Sequence, residues 1–215
     1  MAPLAAAGLH FILFLGSVRE NRNADRVKNY LVNSLAKYNV SVTVFDPREL
    51  NYTKVIQPLH YYEKPEDAPE RLRNLSDVIR KADGHIVVTP EYHSAIPPSL
   101  TTMMDQFPPA SYAFRPAAIV SYSKGRFGGI RAATHLRTWL SELSLVHIPS
   151  VLAIPKVEEA ITKEGKTTNK LVLESTDALL GELVWFARAI KTHAQVRPLQ
   201  YKGKAHFGGD KLSSG

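Results

Sequence analysis

Three short segments of the sequence concentrate polar side chains and glycines directly after apolar runs. The first, residues 16–23, reads GSVRENRN and precedes a segment with helical spacing. Backbone N–H groups and the positive end of a helix dipole therefore meet there. Four side chains add further donors: Ser17, Arg19, Arg22 and Asn23. This donor set predicts a phosphate site, and the alternative is a polar turn whose arginines are solvated.

The second segment, residues 89–98, reads TPEYHSAIPP. Its prolines restrict the path of the chain and leave the backbone N–H groups between them available to a ligand. Such a loop predicts main-chain hydrogen bonds to the edge of a flat heterocycle. The alternative is a proline-rich turn in which Tyr92 only packs against its neighbours.

The third segment, residues 121–129, reads SYSKGRFGG. Its three glycines allow the backbone to approach a planar ring closely. Lys124 and Arg126 provide positive charge for an incoming anion. The alternative is a solvated, charged loop that precedes a helix.

The predicted strands and helices between these three segments determine where the segments lie in the fold. Five apolar runs predict strands, over residues 9–15, 40–45, 85–89, 117–122 and 146–154. Five segments with helical spacing alternate with them, over residues 23–37 (with Asn23 as N-cap), 69–81, 97–107, 128–143 and 170–194. The alternation predicts an α/β fold with a doubly wound, flavodoxin-like parallel sheet of order 2-1-3-4-5. In such a sheet the three segments follow strands one, three and four, where ligands bind.

The composition limits the chemistry that these loops can serve. The chain has 215 residues and is 44% hydrophobic, which fits one globular domain. There are no cysteines, which excludes disulfides, thiolate metal sites and cysteine nucleophiles. Any redox chemistry therefore needs a bound cofactor. The histidines show no metal-ligand spacing, so we predict no metal.

The charge distribution favours a small anionic ligand over nucleic acid. The net charge is +7, but residues 191–215 contribute +4 of it, from five basic residues and one acidic residue. The rest of the chain shows no basic run interleaved with aromatic residues, so nucleic acid is not an expected partner.

The sequence predicts one flavodoxin-like domain over residues 9–195 and a disordered basic tail over residues 196–215. No apolar run approaches the roughly 20 residues that span a bilayer, and the first residues lack the basic region of a signal peptide. We therefore expect a cytoplasmic protein without membrane contact. Residues 51–68 are long for a connection, and are either a loose excursion or part of a substrate or dimer surface.

Three ordered motifs relate the chain to a known family. They are G-S-x-R at residues 16–19, T-P-E-Y at residues 89–92 with Ile-Pro at 96–97, and S-x-G-x-x-G-G at residues 123–129. A fourth segment, L-x-x-x-x-D, spans residues 100–105. Over residues 11–153 the sequence resembles the NADPH-dependent FMN reductase family, the flavodoxin-like quinone and azo-dye reductases.

The resemblance implies a non-covalently bound FMN, with NADPH or NADH as co-substrate. It implies a phosphate site formed by Ser17, Arg19 and Asn23. It implies a second group that lines the ribityl chain and the ring, mostly through the backbone: Pro90, Glu91, Tyr92 and His93. Ser123, Gly125 and Gly128 would bound the ring from the third loop. Most relatives resemble one another in an Asn after the Tyr, where this chain has His93.

The resemblance also implies a function and an assembly. The function is an NAD(P)H oxidoreductase that passes a hydride through flavin N5 to a quinone, free flavin or azo acceptor by a ping-pong mechanism. In it, Lys124 or Arg126 would attract the nucleotide, and either His93 or solvent would protonate a reduced quinone. The alternative is a flavin-loaded redox regulator or electron carrier. The assembly is a homodimer or dimer of dimers. One apolar group lies either in its interface or in the core: Met103, Met104, Phe107 and Pro108.

Overall fold

A five-stranded parallel sheet forms the centre of the computed structural model, which describes residues 8–50, 57–198 and 200–203. The strands are β1 (Leu9–Leu15), β2 (Val40–Phe45), β3 (Gly84–Pro90), β4 (Pro116–Tyr122) and β5 (Val146–Ile154). Their order is β2-β1-β3-β4-β5, with every neighbouring pair parallel. The predicted fold class and strand order are confirmed, and β3 and β4 exceed their predicted bounds by a residue at one or both ends.

Helices cover both faces of the sheet. They are α1 (Ala24–Leu35), α2 (Glu70–Lys81), α3 (Pro98–Met104), α4 (Pro109–Tyr112), α5 (Ile130–Glu142), α6 (Val157–Ala160) and α7 (Lys170–Val196). The buried residues of α1, α6 and α7 belong to one apolar cluster, and those of α2 to α5 belong mainly to a second. The sheet therefore separates two cores, as a doubly wound fold requires.

All five helix predictions differ from the structure by one or more residues at an end, and two of the differences have a clear local cause. The helix expected over residues 97–107 ends at Met104, because Pro108 disfavours helical backbone in the residue before it, and the chain begins α4 at the next proline. The helix expected from residue 128 begins at Ile130, because Gly128 and Gly129 have φ values of 61° and 77°. These two left-handed glycines place the chain between β4 and α5.

Burial separates the central strands from the edge strands. All residues of β3 and β4 are buried, whereas β2 and β5 keep partly exposed positions because each has a strand on one side only. The expectation of five buried strands thus holds only for the middle three. Met103, Met104 and Phe107 are at most 1% exposed and pack in the second core, which makes them core rather than interface residues.

The remaining segments are only partly described. Of residues 51–68, the first six lie outside the described residues; the rest contains single 3₁₀ turns at Leu59–Tyr61 and Pro65–Asp67. Tyr201 packs against Phe114 with ring centroids 6.1 Å apart, and the predicted disorder of residues 204–215 lies outside the described residues. Within the described ranges, no helix has the length and apolar character needed to cross a membrane.

One buried histidine makes folding sensitive to pH. His85, on β3, is fully buried between the rings of Phe14 and Tyr112, at centroid distances of 5.7 and 5.9 Å. Neither ring nitrogen has a hydrogen-bond partner among the described residues. Burial, followed by the charges of Arg115 and His10, lowers the pKa of His85 to about 3.

We predict that His85→Leu reduces the pH dependence of stability. The unfolded chain binds a proton at His85 near pH 6.5, and the folded protein does not, so acidification below pH 6.5 favours unfolding. By pH 5 this residue lowers the free energy of unfolding by about 2 kcal/mol. Urea unfolding at pH 7.5 and pH 5 measures the difference. The exposed His135→Gln is the control, and an unchanged pH dependence in His85→Leu contradicts the prediction.

Candidate active site

The carboxyl ends of β1, β3 and β4 bring the three loops into one cleft of about 380 Å³. Nine of the predicted site residues line it: Ser17, Arg19, Arg22, Asn23, Pro90, Glu91, Tyr92, Ser123 and Lys124. Four do not: His93, Gly125, Arg126 and Gly128. A larger groove of about 710 Å³ runs along α7 beside Tyr38, and none of the predicted residues lines it. The cleft is therefore the site that the motifs specify.

The first loop is pressed against the second. Gly16 donates its backbone N–H to the Val88 carbonyl at 2.8 Å, and a Cβ at Gly16 would lie 2.9 Å from that oxygen. The Ser17 side chain is buried, and its hydroxyl lies 2.8 Å from the Tyr92 hydroxyl. The exposed Arg19 guanidinium lies 3.7 Å from the centroid of the Tyr92 ring. Tyr92 thus contacts two of the three residues predicted for the phosphate site.

Arg22 has a structural role instead of the predicted phosphate contact. Its side chain is 3% exposed and forms ion pairs with Asp46 and Asp25. It also donates to the backbone carbonyl of Ser17. Burial opposes the charged guanidinium, but the hydrogen bonds that it donates to the two carboxylates raise its pKa above the usual range. Burial likewise opposes the charge of Asp46, and the Arg22 contact nevertheless lowers the pKa of that carboxyl. Arg22 fixes the loop to β2.

Asn23 occupies the N-cap position of α1 without capping it, so the capping prediction is wrong. Its backbone already has helical angles, φ −71° and ψ −12°, whereas a capping residue is normally extended. Its amide donates to Glu158 Oε1 at 3.1 Å. Lys124 Nζ lies 2.9 Å from the same oxygen. Hydrogen bonds from Lys124 and Asn23 lower the pKa of Glu158, and the three residues connect the first loop to the third.

The second loop contains a two-residue turn at its tip. Tyr92 and Ala95 exchange backbone hydrogen bonds of 3.1 and 3.0 Å. Between them, His93 and Ser94 have φ values of 49° and 64°. Asn and His both tolerate this left-handed conformation better than most residues, so His93 meets the backbone requirement that an Asn would meet. Its side chain is exposed.

Glu91 ties the second loop to the helix after the third. Its carboxylate accepts the backbone N–H of Arg131 at 3.0 Å and the side-chain Nη1 of Arg131 at 2.7 Å. Arg131 lies in the first turn of α5, where the helix dipole favours a negative charge. The Glu91 side chain is therefore occupied by Arg131.

The third loop uses its glycines in two ways. A Cβ at Gly128 would lie 3.0 Å from the backbone nitrogens of Ile154 and Pro155, so this glycine permits close packing on the end of β5. A Cβ at Gly129 would lie 2.9 Å from the Tyr122 carbonyl oxygen, so Gly129 permits close packing on the end of β4. Gly125 is exposed, and the nearest atom to a Cβ at that position would be Ser123 Oγ, at 4.0 Å. Only Gly125 offers an open backbone.

Sequence reasoning missed several residues of the site. Tyr122 is buried in the cleft wall, and burial raises its pKa. It ends β4, and a strand pattern alone gave no reason to single it out. Glu158 and Arg131 belong to no motif and lie far along the chain from their partners. Among the described residues, no three His, Asp or Glu side chains are grouped as metal ligands.

The model of the NADPH-dependent FMN reductase family matches residues 9–159. The chain belongs to this family. Members use FMN with NAD(P)H, so the expected cofactors and the expectation of an oxidoreductase are confirmed at the level of the family. The donors in the cleft fit that cofactor, because the buried Ser17 and the exposed Arg19 line it together with Asn23, the residue before α1.

Two relatives and one solved structure illustrate the similarity. The chain is 34% identical over 152 residues to the NADH:(hydroxy)cinnamate reductase subunit CrdA of Vibrio ruber, covering 68% of this chain and 75% of the relative. It is 30% identical over 135 residues to a quinone reductase of Escherichia coli, covering 60% and 70%. The FerB flavoenzyme of Paracoccus denitrificans has the same fold, with a TM-score of 0.67, 21% identity and coverage of 84% and 98%.

We predict that Asp46→Asn destabilises this family member strongly. The change leaves a guanidinium that is 3% exposed without its main counter-charge, which costs about 3–5 kcal/mol in comparable buried pairs. Asp25→Asn is the matched control, because the Asp25 side chain is 42% exposed and its loss costs about 1 kcal/mol or less. Urea unfolding at pH 7 compares them. Equal, small losses in both variants would mean that Arg22 does not hold the loop.

Proposed function

We propose that this family member transfers a hydride from NADPH or NADH, with FMN held in the cleft, to a quinone, free flavin or azo acceptor. The observation that carries the proposal is the meeting of three loops in one cleft, with Arg19 and the buried Ser17 at the N-terminus of α1. The names of two relatives, a quinone reductase and an NADPH azoreductase of a Bacillus strain, support the acceptor classes.

The residues of the chain divide the binding of FMN among the loops. Ser17 and Arg19 hold the phosphate, with the Asn23 backbone at the start of α1. The backbones of Pro90, Glu91, Tyr92 and His93 follow the ribityl chain and the ring edge. Ser123 and the open backbone at Gly125 bound the ring from the third loop, whereas Gly128 contributes through its packing on β5. When bound, FMN accepts a hydride at N5 and passes two electrons on.

The cleft itself supports a ping-pong order. The cleft has a volume of about 380 Å³, and the same three loops line all of it. Contacts of Glu91, Glu158 and Tyr92 connect these loops to one another. Nucleotide and acceptor therefore enter the same opening in turn. The backbone N–H groups of the second loop stabilise negative charge at the ring edge. Because His93 is exposed, solvent reaches the same position, and we assign protonation of a reduced quinone to solvent. The role of His93 is to form the turn at the tip of the second loop.

The charge of the chain favours an enzyme over an electron carrier. Electron-carrier flavodoxins are acidic proteins, whereas this chain has a net charge of +7 and an exposed arginine, Arg19, in its phosphate loop. A flavin-loaded redox regulator is the remaining alternative, and turnover separates it from an enzyme.

We also propose a homodimer or dimer of dimers, as the family resemblance implies. Because Met103, Met104 and Phe107 lie in the core, the interface uses other residues of α3 and α5. Thr101, Asp105 and Trp139 line a shallow groove between those helices and form such a surface. A cytoplasmic location stays a prediction from the sequence.

The proposal predicts reduction by nucleotide and reoxidation by acceptor. Under anaerobic conditions, the purified holoenzyme should lose its visible flavin absorbance on addition of NADPH and regain it on addition of 1,4-benzoquinone. Steady-state double-reciprocal plots should be parallel at varied benzoquinone concentrations. A flavin that neither NADPH nor NADH reduces would favour the regulator or carrier. Intersecting plots would contradict the ping-pong order and leave the reductase activity standing.

A further inference from the structure

The cations of the three loops differ in whether a carboxylate neutralises them. The loops contain four: Arg19, Arg22, Lys124 and Arg126. Arg22 pairs with Asp46 and Asp25, and Lys124 pairs with Glu158 at 2.9 Å. Among the described residues, Arg19 and Arg126 pair with no carboxylate. Each lies instead over an aromatic ring, Arg19 at 3.7 Å from the Tyr92 centroid and Arg126 at 4.9 Å from the Phe127 centroid.

The ring under Arg126 is itself held in place. The Cζ of Arg131 lies 4.7 Å from the Phe127 centroid, and Arg131 is fixed by two hydrogen bonds to Glu91. Phe127 is 50% exposed, so the guanidinium of Arg126 keeps its access to solvent. A guanidinium that stacks on an aromatic face loses little conformational freedom when it binds an anion. Its N–H groups, which lie in its own plane, remain free to donate to that anion.

The two unpaired arginines occupy different positions relative to the cleft. Arg19 lines it, whereas Arg126 lies outside the lining, on the exposed part of the third loop. The proposed function requires the nicotinamide end of the nucleotide to enter the cleft, so its adenosine end remains at the rim. NADPH and NADH differ only by a phosphate on the adenosine ribose. The FMN phosphate therefore lies inside the cleft. The ribose phosphate that distinguishes NADPH from NADH lies outside it.

We propose that Arg126, supported by Phe127 and Arg131, binds the 2′-phosphate of NADPH and sets the preference for NADPH over NADH. This inference rests on the proposed function and adds the choice of nucleotide to it. Lys124, the other cation that the sequence offered for the nucleotide, pairs with Glu158, and we therefore assign the preference to Arg126. Arg126 has the planar fork that binds a phosphate through two hydrogen bonds.

Steady-state kinetics of the FMN-loaded enzyme with 1,4-benzoquinone provide the first test. Wild type should have a higher kcat/KM for NADPH than for NADH. Arg126→Ala should lower kcat/KM for NADPH by about tenfold to a hundredfold and that for NADH by less than about threefold. Arg126→Lys should recover part of the loss. Arg188→Ala, which removes an exposed arginine from α7, is the matched charge control and should leave the NADPH to NADH ratio unchanged.

A binding measurement separates this inference from the proposed function. Calorimetry on the FMN-loaded protein compares adenosine 2′,5′-bisphosphate with adenosine 5′-monophosphate, neither of which carries a hydride. Wild type should bind the bisphosphate at least about tenfold more tightly, and Arg126→Ala should abolish the difference. Equal affinities in wild type, or equal losses for NADPH and NADH in Arg126→Ala, would overturn the inference. Discrimination in binding without any turnover would instead count against the proposed function alone.

Discussion

The buried ion pair between Arg22 and Asp46 is the interaction on which the cleft depends. Arg22 belongs to the loop after β1, and Asp46 follows the last residue of β2. An unpaired guanidinium at this depth would cost several kcal/mol, so the loop takes the path that brings the two charges together. The same side chain donates to the Ser17 carbonyl. The Ser17 hydroxyl lies against the Tyr92 hydroxyl in the wall of the cleft.

Two arginines three positions apart therefore have different roles. Arg22 is neutralised and hidden, while Arg19 has no carboxylate partner among the described residues and remains exposed. The same division recurs in the third loop, where Lys124 is paired and Arg126 is not. A site that binds anions in two places gains from this arrangement, because the paired cations hold the loops and the unpaired cations keep their charge for ligands.

The fold was predictable from the sequence because its signals are local. Apolar runs, turn residues and alternation of elements gave the strands to within a residue and the sheet order correctly. The identity of the loops that form the site followed from the sheet, since ligands bind beyond the carboxyl ends of β1, β3 and β4. The helix ends differed where Pro108, Gly128 and Gly129 imposed their own backbone angles.

The partners of the site residues were not predictable, because they come together only in the folded chain. Arg22 and Asp46 are 24 positions apart, Glu91 and Arg131 are 40 apart, and Asn23 and Glu158 are 135 apart. Residue type alone cannot tell a phosphate-binding arginine from one that holds a loop. For the same reason a glycine motif suggested contact with a ring at Gly128, where the structure shows close packing against β5.

The most direct test of this division of roles is the affinity of the apoprotein for FMN and for riboflavin, which lacks the phosphate. Quenching of flavin fluorescence gives both dissociation constants. If Ser17 and Arg19 form the phosphate site, FMN should bind about a hundredfold more tightly than riboflavin. Arg19→Ala should weaken FMN binding about tenfold or more and leave riboflavin binding nearly unchanged. Equal affinities for the two flavins in wild type would contradict the assignment of the first loop to the phosphate.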